Sequence, residues 1–212
     1  AKSLINILPK EDVFHEVSDE IPLMKRMMNE GLMGNKGLKG GFYRFKDPED
    51  SSSKQTLNFD DFTYRDYSFE KPAIAIAAEE KNDFTLLLEG HSRYSQYAWK
   101  ILSNTLCYAA SLIPDVNESL VAIDDAMKLG YNWAQGPFEM IDSLGVDNFI
   151  SRLEKEGRDI PWILRLASGK SFYRVDEGQL EYFTAEGAYN KIQHDQGLRR
   201  FTEERKTYNP IL

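Results

Sequence analysis

The sequence predicts an all-α fold, and three observations predict it. Between residues 92 and 113, Tyr94, Tyr97, Ala98, Ile101, Leu102, Thr105, Tyr108, Ala109, Leu112 and Ile113 recur at helical spacing and form one apolar stripe. Beyond it, apolar sets punctuated by Gly and Pro mark further short helices joined by short connections, the pattern of helices packed around one long member. Strand signals are short, extended segments at residues 42–45 and 172–175 with a weak alternation at residues 55–67.

In chain order, Ile21-Pro22 starts a helix whose apolar face carries Leu23, Met24, Met27, Met28, Leu32 and Met33. The run Gly34-Asn35-Lys36-Gly37-Leu38-Lys39-Gly40-Gly41 then leads into Phe42-Tyr43-Arg44. Because it follows a helix and not a strand, it is a turn and no phosphate cradle. Residues 47–54 (DPEDSSSK) are polar and serine-rich, as a flexible linker is, and residues 55–67 alternate weakly enough for a short strand.

Ser92 caps the long helix and Pro114 stops it. Trp99 and Leu106 fall on the side away from the stripe, which suggests a second packing partner, a helix or another subunit; an exposed Trp is the plain alternative. Asn117 caps a helix carrying Leu120, Val121, Ile123, Ala126 and Met127, with Gly130 as left-handed C-cap and residues 131–135 as a turn. Gly136-Pro137 opens a helix with Phe138, Met140, Ile141 and Leu144. Another begins near Asp147 (Phe149, Ile150, Leu153), and the last runs from Pro161 to Ala167. Residues 184–212 are polar and carry no packing pattern.

A repeat is also visible. Lys39-Gly40-Gly41-Phe42-Tyr43-Arg44 returns as Gly169-Lys170-Ser171-Phe172-Tyr173-Arg174, each after an Ile-Pro helix start at Ile21-Pro22 or Ile160-Pro161. A helical region precedes only the second copy, so the first is expected to be truncated.

Chemistry-bearing residues are sparse. A net charge of −8 without a clustered basic face argues against nucleic acid and anionic membranes. The single cysteine, Cys107, sits in an apolar helix as a small core residue, and the lack of pairs points to a reducing, cytoplasmic setting. No signal peptide or membrane span is predicted. His15, His91 and His194 have no metal-ligand spacing. Asp124 and Asp125 are helix neighbours that face different directions and set up no acid/base pair.

The run Ile123-Asp124-Asp125-Ala126-Met127-Lys128-Leu129-Gly130, followed by Gly136-Pro137-Phe138-Glu139-Met140-Ile141-Asp142 and Gly145, resembles the C-terminal domain of 3-hydroxyacyl-CoA dehydrogenases. That domain has a helix ending in Ala-Met-x-x-Gly, a turn, and a Gly-Pro-Phe-Glu helix leading to Asp. Its closing Gly-Lys-x-Gly-x-Gly-Phe-Tyr motif is matched closely by residues 34–43 and in decayed form by residues 168–174. The resemblance implies a bundle of the 6-phosphogluconate-dehydrogenase C-terminal-like type. Long bacterial members look like an NAD-binding Rossmann domain, two helical units and, in many cases, a linker to an enoyl-CoA hydratase domain. On that pattern residues 1–46 are the remnant of a first helical unit, 47–70 a linker, 71–183 a complete second unit, and 184–212 a linker towards a further domain.

The family's catalytic His and Glu and its NAD glycine motif belong to the Rossmann domain. Its catalytic Asn maps near Trp99 or Lys100, where no Asn stands, and Asn104 lies more than a turn away. The resemblance therefore implies no catalytic, cofactor or metal residue in this segment, with NAD bound by the parent enzyme. Trp99, Leu106, Gly136, Pro137, Phe138, Gly41, Phe42 and Tyr43 are interface or structural candidates. The implied partners are the Rossmann domain and first helical unit of the parent, a possible homodimer copy, and the parent's acyl-CoA substrate. The Met-rich helix at Ile21 is expected to dock on the helix of residues 92–113 through Trp99. The alternative is a free-standing helical interaction module without enzymatic activity. A strand-Gly-x-Gly-x-x-Gly-helix pattern upstream would decide for the dehydrogenase.

Overall fold

A computed structural model describes residues 6–10, 12, 15, 21–34, 39–193, 197 and 200–207. The chain forms two compact units, Ala1–Lys71 and Pro72–Leu212.

In the first unit, Pro at the first helical position starts α1 (Pro22–Asn29), whose Met27 is buried. An Arg26–Glu30 pair at 3.1 Å spans its last turn. An antiparallel bridge between Gly34 and Gly40 closes the following turn, whose residues 35–38 lie outside the described residues. Strands β1 (Tyr43–Phe45), β2 (Lys54–Leu57) and β3 (Tyr64–Asp66) make an antiparallel sheet in that order. The segment expected as a linker thus supplies two of the sheet's three strands. Its serine run is one 3-10 turn, ordered by the Asp50 carboxylate accepting the Ser52 N–H at 2.8 Å.

The second unit contains α2 (Ala73–Glu80), α3 (Arg93–Ser111), α4 (Leu120–Tyr131), α5 (Pro137–Leu144), α6 (Val146–Lys155) and α7 (Trp162–Leu166). Strands β4 (Tyr173–Asp176), β5 (Gln179–Phe183) and β6 (Tyr189–Lys191) form a second antiparallel sheet, and α8 (Phe201–Thr207) follows. The all-α expectation is corrected: two three-stranded sheets make the fold mixed α/β. Three of the strands are only three residues long, too short to show a period of two. Residues beyond 184 likewise contain β6 and α8, where a linker was expected.

Ser92 caps α3 by accepting the Ser95 N–H at 3.0 Å. α4 ends not at Gly130 but one residue later, with Asn132 in the left-handed conformation (φ 56°). The core gathers Leu106, Phe138, Ile141, Phe149, Leu153, Leu164, Phe172 and Phe183, so the second sheet joins the helices through its phenylalanines.

The face of α3 that meets this core is rotated from the one expected: Ala109 and Ile113 of the expected stripe are buried and Ala98, Leu102 and Leu112 pack against the core, but its tyrosines do not. Ser95, Trp99, Ser103, Leu106, Ala109 and Ala110 are buried, whereas Tyr94, Tyr97, Ile101 and Tyr108 of the expected stripe are exposed. The two serines hide the pattern. They are small enough to let helices approach, and each is satisfied, Ser95 Oγ by Ser92 Oγ at 2.7 Å and Ser103 Oγ by Arg158 at 2.6 Å.

Candidate functional site

The most constrained part of the second unit is the head of α5. Gly136 precedes Pro137 and carries no side-chain oxygen, so it cannot cap the helix. Asp124, about one turn into α4, does so from outside: its carboxylate accepts the Phe138 N–H at 2.8 Å and the Glu139 N–H at 3.2 Å. Glu139 completes the start by accepting the Gly136 N–H at 2.8 Å. The approach is so close that a Cβ on residue 136 would lie 2.6 Å from the Asp124 Cα. Only glycine fits there.

The same helix fastens the second sheet. Asp142 accepts the backbone N–H groups of Phe172 at 2.7 Å and Tyr173 at 2.8 Å, and the Tyr173 hydroxyl donates to Asp124 at 2.9 Å. Phe138 is fully buried, edge-on to Phe172 with ring centroids 4.8 Å apart.

Burial governs the charges here. Desolvation pushes the Asp124 carboxyl up to about 7 against the hydrogen bonds from Phe138 and Tyr173, with Glu139 adding repulsion. Desolvation likewise raises Asp142 to about 6. Glu139 moves the other way: burial opposes its ionisation, but the Lys206 ammonium at 2.7 Å, the Gly136 N–H and Lys128 outweigh it. Burial and the Asp124 carboxylate raise the Tyr173 phenol. Asp125 faces away from its neighbour and binds Arg200 at 2.6 Å. α8 and the residue before it therefore carry cations, Lys206 and Arg200, that answer this acidic cluster.

Of the residues singled out from sequence, Gly136, Pro137 and Phe138 converge on this nest. Trp99 and Leu106 lie inside the core of the second unit, and neither is an outward anchor. Trp99 stands edge-on to Phe149 at 5.5 Å and donates its indole N–H to Glu156 at 2.5 Å. Gly41, Phe42 and Tyr43 lie in the first unit. Gly41 is close-packed, a Cβ there falling 2.7 Å from Gly34 Cα, and its carbonyl accepts the Tyr64 hydroxyl at 2.5 Å. Phe42 and Tyr43 are exposed.

Asp124, Asp142, Tyr173 and Lys206 escaped the sequence reading as a group because they are separated by up to 82 positions. Singly, Asp124 and Asp142 stand in the runs that carry the family resemblance and Tyr173 in the repeated motif, but nothing in those runs brings them together. Among the described residues no group of three or more His, Cys, Asp or Glu side chains is arranged to hold a metal ion. His194 lies outside the described residues. Burial raises the Cys107 thiol, away from nucleophilic use. No helix among the described residues is long and apolar enough to cross a membrane.

No family model and no solved structure matches the chain. Curated proteins do. A Rickettsia felis protein named as a fatty acid oxidation complex trifunctional enzyme is 34% identical over 178 residues, covering 84% of this chain and 24% of its own length. Its Rickettsia prowazekii namesake is 32% identical over 179 residues, with the same coverage of 84% and 24%. A Bacillus subtilis protein named as a 3-hydroxyacyl-CoA dehydrogenase is 29% identical over 198 residues, covering 90% of this chain and 24% of its own. The chain thus spans about a quarter of the length of these relatives.

Proposed function

We propose that this chain, a homologue of fatty acid oxidation enzymes of the 3-hydroxyacyl-CoA dehydrogenase type, is the C-terminal helical segment of such an enzyme. The parent oxidises a 3-hydroxyacyl-CoA to the 3-ketoacyl-CoA with NAD in the cytoplasm, passing a hydride to the nicotinamide and a proton to a general base. This segment supplies neither. It builds one wall of the substrate cleft and the interface between helical units or between subunits, and it is inactive alone. Residues 1–46 are the end of a first helical unit and residues from 71 onward the second, with the Rossmann domain elsewhere in the parent.

The observation that carries this reading is the outward face of α3. Tyr97 is 70% and Ile101 53% exposed, with Tyr94 and Tyr108 beside them at helical spacing. Large aromatic and branched side chains in one row on a 19-residue helix are what a helix-to-helix interface uses. The nest at the head of α5 supports the same reading from the other direction. Its carboxylates are saturated by backbone N–H groups and a phenol, which suits a scaffold and leaves no base free for substrate.

The test is an assay of the isolated chain and of the longer polypeptide with acetoacetyl-CoA and NADH. Turnover is expected from the longer polypeptide alone. Turnover by the isolated chain that disappears on mutating one of its own residues would overturn the assignment.

A further inference from the structure

The second unit shows what fills a place that the first leaves open. The strand after each copy of the repeated motif begins in the same frame: the Phe183 N–H reaches the Phe172 carbonyl at 2.8 Å, and the Leu57 N–H reaches the Phe42 carbonyl at 2.9 Å. In the second unit the N–H groups of Phe172 and Tyr173 are both taken by the Asp142 carboxylate, on a helix that also lays Phe138 against Phe172. In the first unit β1 is an edge strand. Its Lys46 N–H meets the Ser53 carbonyl at 3.1 Å, a register that turns the Tyr43 N–H away from β2 to the open edge. Among the described residues no acceptor meets that N–H or the N–H of Phe42.

The charges differ in the same sense. Arg174 is paired with Glu181 at 2.8 Å and Asp176 at 3.5 Å, whereas its counterpart Arg44 donates to the neutral Gln55. Lys54 lies 4.3 Å from the Tyr43 ring and 4.4 Å from the Tyr67 ring. The three strands thus carry Arg44, Lys54 and Arg65 against a single acid, Asp66, which is held by Lys46 at 3.0 Å and Gln55 at 3.1 Å. In a chain of net charge −8 this sheet is locally basic. Phe42, Tyr43, Phe45 and Phe59 stand exposed on it.

We propose that the open edge of β1 is a docking site for a partner helix that carries Phe and, four residues later, Asp. Two residues at that spacing share one face of a helix. The carboxylate accepts the N–H groups of Phe42 and Tyr43 as charge-assisted bonds, the phenyl ring packs on Phe42, and the basic strands favour the acidic helix. A second copy of this chain does not offer such a helix, because its Phe138 and Asp142 are both engaged within its own second unit. The docking site follows from the repeat and would stand if the dehydrogenase reading fell.

The test is titration of the ¹⁵N-labelled full chain with a peptide of residues 136–144 extended by an alanine-rich tail, which keeps so short a segment helical in water. The amide resonances of Phe42 and Tyr43 are expected to move downfield and saturate, while those of Phe172 and Tyr173, already bonded to Asp142, stay in place. The same peptide with Asp142→Ala or Phe138→Ala is expected to bind at least about tenfold more weakly. In the chain, Tyr43→Pro removes one donor at an edge position, where proline is tolerated, and should also weaken binding at least about tenfold. No saturable movement by about 5 mM peptide, equal affinity for the Asp142→Ala peptide, or movement at Phe172 and Tyr173 instead would each overturn the proposal. So would movement of Phe42 and Tyr43 with chain concentration alone, which would make the occupant a second copy.

Discussion

The two sheets of this molecule are built from the same local contacts and differ in what covers them. In the first, Arg44 donates to Gln55 at 3.0 Å and lies 4.0 Å over the Tyr64 ring, whose hydroxyl reaches the Gly41 carbonyl. In the second, Arg174 donates to Glu181 at 2.8 Å and lies 3.8 Å over the Tyr189 ring, whose hydroxyl reaches the Ser171 carbonyl at 2.6 Å. The repeat seen as two short strings in the sequence is a repeat of hydrogen bonds. Yet Phe42 is 40% exposed and Phe172 is 0% exposed. Phe172 has the fully buried Phe138 against it at 4.8 Å and Asp142 on its N–H, whereas Phe42 stands edge-on at 5.9 Å to Phe59, itself half exposed. Strand, turn and Arg–Tyr stack are thus encoded within about 25 residues, whereas burial is supplied by a partner element.

The largest effect that would break this comparison is truncation of its central aromatic. Phe138→Ala should cost the second unit roughly 3–5 kcal/mol, and Phe42→Ala the first under about 1 kcal/mol, because only the former opens a cavity. Urea midpoints of the two variants decide it. Equal losses would mean that Phe42 is as well covered as Phe172.

Acidity should separate the units next. Asp124 and Asp142 have folded-state pKa values of about 7 and about 6, above the ordinary 3.8. Between pH 4 and 7 the folded state therefore binds more protons than the unfolded chain, and stability falls as pH rises through that window, by up to about 4 kcal/mol for Asp124. Among the described residues of the first unit, the shifted carboxylates Asp50, Asp61 and Asp66 are lowered, and their contribution to stability is lost on acidification below that window. Urea unfolding at pH 5 and pH 8 should show the second unit alone weakening. Asp124→Asn should flatten its profile.

Removal of one clasp comes third. Asp142→Ala leaves two strand N–H groups without an acceptor and should cost about 2–3 kcal/mol, with faster amide exchange at Phe172 and Tyr173 as its mark. The smallest effect is expected at the partly exposed ion pair to α8. Lys206→Ala should change stability by less than about 1 kcal/mol, and a larger loss would make α8 a structural member of the nest.

What could be read from the sequence follows the same division. Caps, Pro starts and glycine turns act over a few residues, and Ser92, Pro22 and Pro137 behave as their chemistry requires. The dehydrogenase resemblance rested on a contiguous run of that kind, and relatives of that name match the chain. The buried face of α3 is only half legible, because buried serines and exposed tyrosines shift it away from the stripe that the apolar residues mark. The carboxylate nest was invisible because Asp124 meets its partners 14 and 49 positions along the chain.

Asp142 also sets an order of events. Its bonds to Phe172 and Tyr173 close a loop of about 30 residues, and α6 and α7 fill that loop. Closing an open chain of that length is opposed by entropy, and helices folded beforehand shorten the span to be searched. The two amide protons on Asp142 should therefore become protected together, and only after those of the helices they enclose.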